Sequence, residues 1–96
     1  MTMFVSLLNL TDQGIRNVKE SPHRFEAFKD MAAKQGVTVK AVYYTVGQFD
    51  MIVIVEGNDQ AAIASLLATN ALGNIRSQTM LAYTVDEMKN ITAMMP

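Results

Sequence analysis

Apolar residues fall along this chain in short runs, and the spacing within each run separates strands from helices. From Met3 to Leu10 the sequence is apolar except at Ser6 and Asn9. The run is short and rich in large residues, which predicts a buried strand rather than a helix. Thr11-Asp12-Gln13-Gly14 breaks it with side chains that bond their own backbone, and a brief turn carrying Ile15 and Val18 follows. Ser21-Pro22 then opens a helix. Ser21 can accept from an orphan amide as N-cap, while Pro22 at the first position gives up an amide that would be unpaired anyway. Phe25, Phe28, Met31 and Ala32 share one helical face, and Gly36 supplies a left-handed stop.

Val37 to Val46 is β-branched and aromatic with no helical stripe, and reads as the second strand. Gly47-Gln48-Phe49 turns the chain into Met51–Val55, a third strand that a hairpin would join to the second. Asn58 caps a second helix whose stripe is Ile63, Leu66, Leu67 and Ala71, and Gly73-Asn74 stops it. Ile75 to Tyr83 is a fourth strand interrupted by Arg76, Ser77, Gln78 and Thr79, a pattern of an edge strand or of one lining a cavity. Thr84-Val85-Asp86-Glu87 is a capping box that starts a C-terminal helix through Met88, Ile91 and Met95.

The order βαββαβ with a terminal helix predicts an α+β, ferredoxin-like fold: a four-stranded antiparallel sheet with two helices on one face. The 96 residues, with no linker or repeat, make a single domain over residues 1–96. A strand with one solvated face should alternate, yet the third strand is apolar at five consecutive positions and the first nearly so. Both faces of the sheet must therefore be covered. Helices serve one; the expected cover for the helix-free face is a second copy of the chain, giving a homodimer.

Composition narrows the function. Half the residues are apolar and 18% are charged, which suits a globular domain and not a disordered one. A net charge of -1 offers no basic field for nucleic acid or an anionic membrane surface. Met51 to Val55 also lacks the stacking and basic residues that an RNA-recognition sheet carries there. The chain has no cysteine, which removes disulfides, thiolate nucleophiles, iron–sulfur clusters and the thiolate pair of a metallochaperone, and fits a reducing cytoplasm. No apolar run approaches the roughly 20 residues of a membrane helix, no signal peptide is visible, and no glycine loop for phosphate binding occurs. The reading calls for no cofactor.

Few residues remain as candidates for chemistry. His23 is the one histidine, placed in the first turn of a helix, and it reads as a surface side chain rather than a metal ligand. The methionines read as core filler. Asp12, Asp50, Asp59 and Asp86 stand at turns or helix starts, the positions of caps and turn acceptors. Asp50 differs in leading straight into the most apolar strand, where a carboxylate needs partners. It is either an acceptor for the backbone of residues 47–49 or a base or ligand anchor at the mouth of a cavity. Asn9, Tyr43, Tyr44, Arg76, Gln78 and Thr79 are polar groups in otherwise apolar strands. Alternation sends Tyr43 and Tyr44 to opposite faces, so only one can line a cavity.

Asn9-Leu10-Thr11-Asp12-Gln13-Gly14, Tyr43-Tyr44-Thr45-Val46-Gly47-Gln48-Phe49-Asp50 and Gly73-Asn74-Ile75-Arg76-Ser77-Gln78-Thr79 resemble the corresponding stretches of the GYD domain family. The resemblance covers nearly the whole chain. Phe49 stands where a tyrosine is usual. The resemblance implies a dimeric α/β barrel, in which two ferredoxin-like sheets face one another, and a fold similar to the ligand-sensing domain of leucine-responsive regulators and to small cofactor-free monooxygenases. It implies no particular reaction.

Two functions from different classes follow. One is a binding module that holds a small apolar or amphipathic molecule without transforming it, with Asn9, Tyr44, Asp50 and Arg76 as the candidate ligand contacts. The other is a cofactor-free monooxygenase or isomerase in which Asp50 is the base and Tyr44 or Asn9 the oxyanion donor, since proton abstraction needs one base and one positioned donor. Convergence of Asp50 and a tyrosine hydroxyl on one cavity discriminates between them.

Overall fold

A computed structural model describes all residues, 1–96. Its elements are β1 (Thr2–Leu10), α1 (Asp12–Arg16), a single 3-10 turn (Val18–Glu20), α2 (Ser21–Lys34), β2 (Thr38–Tyr44), β3 (Met51–Gly57), α3 (Asp59–Asn70), β4 (Ile75–Ala82) and α4 (Val85–Ala93). The sheet order is β2-β3-β1-β4 with every neighbouring pair antiparallel. This is the ferredoxin-like arrangement expected. β1 and β3, the most continuously apolar strands, are the two central ones, and the polar-interrupted β4 is an edge.

Alternation divides the sheet cleanly. Phe4, Ser6 and Leu8 of β1 and Met51, Val53 and Val55 of β3 are buried beneath the helices, joined by Phe28 and Ala32 of α2, Ala62 and Leu66 of α3, and Val37. Ser6 is 1% exposed, and its hydroxyl is satisfied by Thr79 Oγ1 at 2.8 Å, so the one polar side chain in the buried row of β1 has a partner. The opposite face carries Met3, Val5, Leu7 and Asn9 of β1, all half-buried by their own neighbours.

Local details depart from the sequence reading in four places. The turn after β1 is a short helix, α1, capped by Thr11, whose hydroxyl accepts from the Gly14 amide at 3.1 Å. Ser21 is not an N-cap: it lies inside the first turn of α2, is buried, and shares a 2.8 Å hydrogen bond with the Tyr44 hydroxyl. β2 stops at Tyr44 rather than Val46 and contains an irregularity between Val39 and Ala41, which leaves Lys40 unpaired and resets the alternation. On α3 the buried residues are Ala62, Ser65 and Leu66, whereas Ile63 and Leu67 of the expected stripe are exposed. The buried face of the helix is therefore the one carrying the small side chains at 62 and 65 beside Leu66.

The helix ends otherwise follow their caps. Asn58 accepts from the amides of Gln60 and Ala61, and Gly36 takes the left-handed conformation, φ +75°, that ends α2. Thr84 and Glu87 form the reciprocal capping box. The helix it starts, α4, is exposed along its whole length.

Gly14 sits where backbones meet. A Cβ there would lie 1.9 Å from the Asn74 carbonyl oxygen, and neither partner is a side chain that could swing away. In an open helix Gly→Ala gains up to about 1 kcal/mol; Gly14→Ala should instead lose about 2 kcal/mol or more through overpacking. Urea denaturation reads the sign, and an unchanged or raised midpoint contradicts this packing.

Candidate functional site

The candidate residues divide between the two faces of the sheet. Asn9 and Arg76 are direct cross-strand partners on the helix-free face. Asp50 precedes the Leu8↔Met51 pair, and its amide donates to the Leu8 carbonyl at 2.8 Å, which carries the β1–β3 ladder one step further and brings Asp50 beside Asn9. Tyr44 is elsewhere. It pairs with Met51, a buried helix-side residue, and its hydroxyl bonds Ser21, so Tyr43 is the tyrosine that belongs to the open face.

The Asp50 carboxylate does not serve the turn that precedes it. Its Oδ2 accepts from the Leu10 amide at 2.8 Å rather than from residues 47–49, while its backbone carbonyl accepts from Thr45. The carboxylate thus supplies the acceptor that a ladder carbonyl would have supplied to the last residue of β1. Asp50 and Tyr44 do not converge on a common cavity within one chain. His23 is exposed, and no three His, Cys, Asp or Glu side chains come together in a way that could hold a metal ion.

The stretches on either side of Asp50 also meet at this end of β1. The Thr11 amide donates to the Asn74 carbonyl at 3.0 Å and the Thr11 hydroxyl to the Gly73 carbonyl at 2.6 Å. Gln13 Nε2 donates to the Leu72 carbonyl and to Asn74 Oδ1 at 3.1 and 3.0 Å. The start of α1 and the segment entering β4 are one clasp, closed over the buried Gly14.

Around the open-face pair lies an apolar surface: Val5 and Leu7 of β1, Ile52 and Ile54 of β3, Tyr43 of β2 and Met80 of β4, linked by the cross-strand pairs Val5↔Ile54, Leu7↔Ile52, Val5↔Met80 and Tyr43↔Ile52. Tyr43 and Met80 are 62% and 48% exposed. On the other side of the sheet, a cavity of about 380 Å³ lies between α2 and α3. Leu8, Met51 and Val53 form its floor and Phe25, Phe28 and Leu66 its walls; Ser21, Arg24, Thr69 and Asn74 are its polar liners. Nothing in the sequence periodicity marked this cavity. The one signal available was Arg24 between Phe25 and the α2 cap, a cation close to the apolar stripe.

The fold has counterparts among known proteins. The GYD domain model matches residues 4–92. The chain belongs to the GYD domain family. This GYD domain is 30% identical over 90 residues to the glutamine synthetase and cystathionine beta-lyase binding protein of Thermus thermophilus, covering 92% of this chain and 95% of that one. The crystal structure of FFRP-DM1 superposes over 86% of this chain and 100% of its own, with a TM-score of 0.55 at 21% identity, which shows a shared fold. No helix of the GYD domain is long and apolar enough to cross a membrane.

The Asp50 carboxylate can be tested as a structural acceptor. Asp50→Ala leaves the Leu10 amide without its partner and should cost about 1–3 kcal/mol, whereas Asp50→Asn keeps an oxygen acceptor in place and should recover most of that loss. Equal stability of the two variants in urea denaturation would show that the Leu10 contact contributes nothing.

Proposed function

We propose that this GYD domain is a non-catalytic binding module that works as a homodimer, two copies pairing through their helix-free sheet faces into an α/β barrel. The carrying observation is the open face itself, where Val5, Leu7, Ile52, Ile54, Tyr43 and Met80 form one apolar surface with no helix over it. A monomer rarely leaves a continuous patch of this kind in water. A standard interface removes roughly 800 Å² per partner, and at about 25 cal/mol per Å² of apolar surface that outweighs the entropy of association. Helix α4 supports the same reading, because Val85, Met88 and Ile91 are 76%, 46% and 36% exposed and find no cover in their own chain.

Between two such faces there is room for a small apolar or amphipathic molecule, with Asn9, Arg76 and Asp50 as the polar contacts at one end. The outer helices are then free to meet other proteins. The relative from Thermus thermophilus is named for binding two enzymes, a role that needs surface and no reaction centre. Such a module would act in the cytoplasm, where a chain without cysteine gives up nothing.

Sedimentation equilibrium at micromolar concentration tests the assembly. The expected mass is twice the 10.6 kDa of the chain. Ile54→Lys, which puts a charge in the centre of the open face, should yield the 10.6 kDa species with an unchanged far-ultraviolet spectrum. A monomeric wild-type chain at that concentration overturns the reading.

A further inference from the structure

One helix of the chain is folded without a packing partner. α4 has 9 residues and buries none of them, and no other helix or strand packs across it. Isolated helices shorter than about 12–15 residues are marginal in water. The capping box of Thr84 and Glu87 satisfies the first amides, and beyond it only the helix's own hydrogen bonds hold the segment. The chain is also elongated. It measures 51 Å along its longest axis, and its radius of gyration of 14.6 Å exceeds the roughly 13 Å usual for 100 residues, as expected when a terminal element lies outside the body of the domain.

The helix is nonetheless patterned for burial. Val85, Met88 and Ile91 recur every third residue and share one side, while Asp86 and Asn90 share the other. A stripe of this kind belongs against another apolar surface. Its place in the chain says which. Tyr83 and Thr84 alone separate α4 from β4, whose Met80 belongs to the open sheet face. Two uncovered apolar surfaces are thus neighbours on one chain, and the second copy that covers the sheet face is the body nearest to the helix. A two-fold axis makes the exchange self-complementary, each copy giving one helix and receiving one. The stripe itself carries no charge, so it sets no like charges against each other.

We propose that α4 is an exchange arm: each chain lays the Val85, Met88 and Ile91 side of α4 on its partner subunit, and the arm keeps its helix only there. Folding of the C-terminal segment and assembly are then one event. The arm rests on the homodimer proposed above and adds to it a contact that the facing sheets do not require.

Sedimentation equilibrium of the full chain, paired with hydrogen exchange read by mass spectrometry, tests it. Met88→Lys and Ile91→Lys put a charge into the stripe at positions already exposed in the single chain. Each should raise the dimer dissociation constant at least tenfold. Asn90→Lys, the same change of charge on the other side of α4, should leave it unchanged. The amides of residues 88–93 should exchange at least tenfold faster in the monomer, reached by dilution or by Ile54→Lys, than in the dimer. Equal dissociation constants for Met88→Lys, Ile91→Lys and Asn90→Lys overturn the arm. So does equal exchange of residues 88–93 in monomer and dimer, a result that needs no substitution in α4. Either outcome leaves the wild-type dimer standing, whereas a wild-type species of 10.6 kDa overturns the homodimer and the arm with it.

Discussion

Two right-handed crossovers leave half of an apolar sheet without cover. β1 and β2 run parallel with β3 between them, and β3 and β4 run parallel with β1 between them. The two connections travel in opposite directions across the sheet, between strands that point in opposite directions. Right-handedness then sets α2 and α3 on the same face. Phe4, Leu8, Met51, Val53 and Val55 are buried beneath them, while Val5, Leu7, Ile52 and Ile54 on the other side have only strand neighbours. The burial of one row and the uncovered surface of the other are two results of one topological rule.

The same central position of β1 explains why so many contacts converge on its C-terminal end. Leu8 is the last residue of β1 paired with strands on both sides and Leu10 the last paired with β4, and what lies beyond them must be closed by something other than a strand. On the β3 side the closure is the Asp50 amide and carboxylate, meeting Leu8 and Leu10. On the β4 side it is Thr11 and Gln13, meeting Leu72, Gly73 and Asn74. The three stretches that resemble the GYD family are these seams. Their polar residues satisfy backbone groups where the sheet ends, a structural task that any ligand chemistry nearby would have to share.

The helix side is less tightly closed than the sheet. α3 buries Ala62, Ser65 and Leu66, two of them small, while α2 carries Phe25 and Phe28. The space between the two helices is the cavity above Leu8, Met51 and Val53.

The sequence alone determined what depends on short spacing. The βαββαβ order with its terminal helix and the caps at Asn58 and Thr84 were legible because a run, an alternation or a cap is complete within a few residues, while the polar interruptions of β4 left an edge or a cavity lining open until the sheet order showed the edge. Alternation also required Tyr43 and Tyr44 to part. Only the tertiary structure decided which went where: Tyr44 opposite Met51 turns to the helices and bonds Ser21, so the hydroxyl expected beside Asn9 and Asp50 is on the other side of the sheet. The irregularity at Val39–Ala41 shifts the alternation, and the partner across the ladder fixes the result. Asp50 was marked by its position before an apolar strand, but its partner, Leu10, is 40 residues away. Face and partner are properties of register between distant segments, and register is set by whole-sheet packing that no local pattern contains.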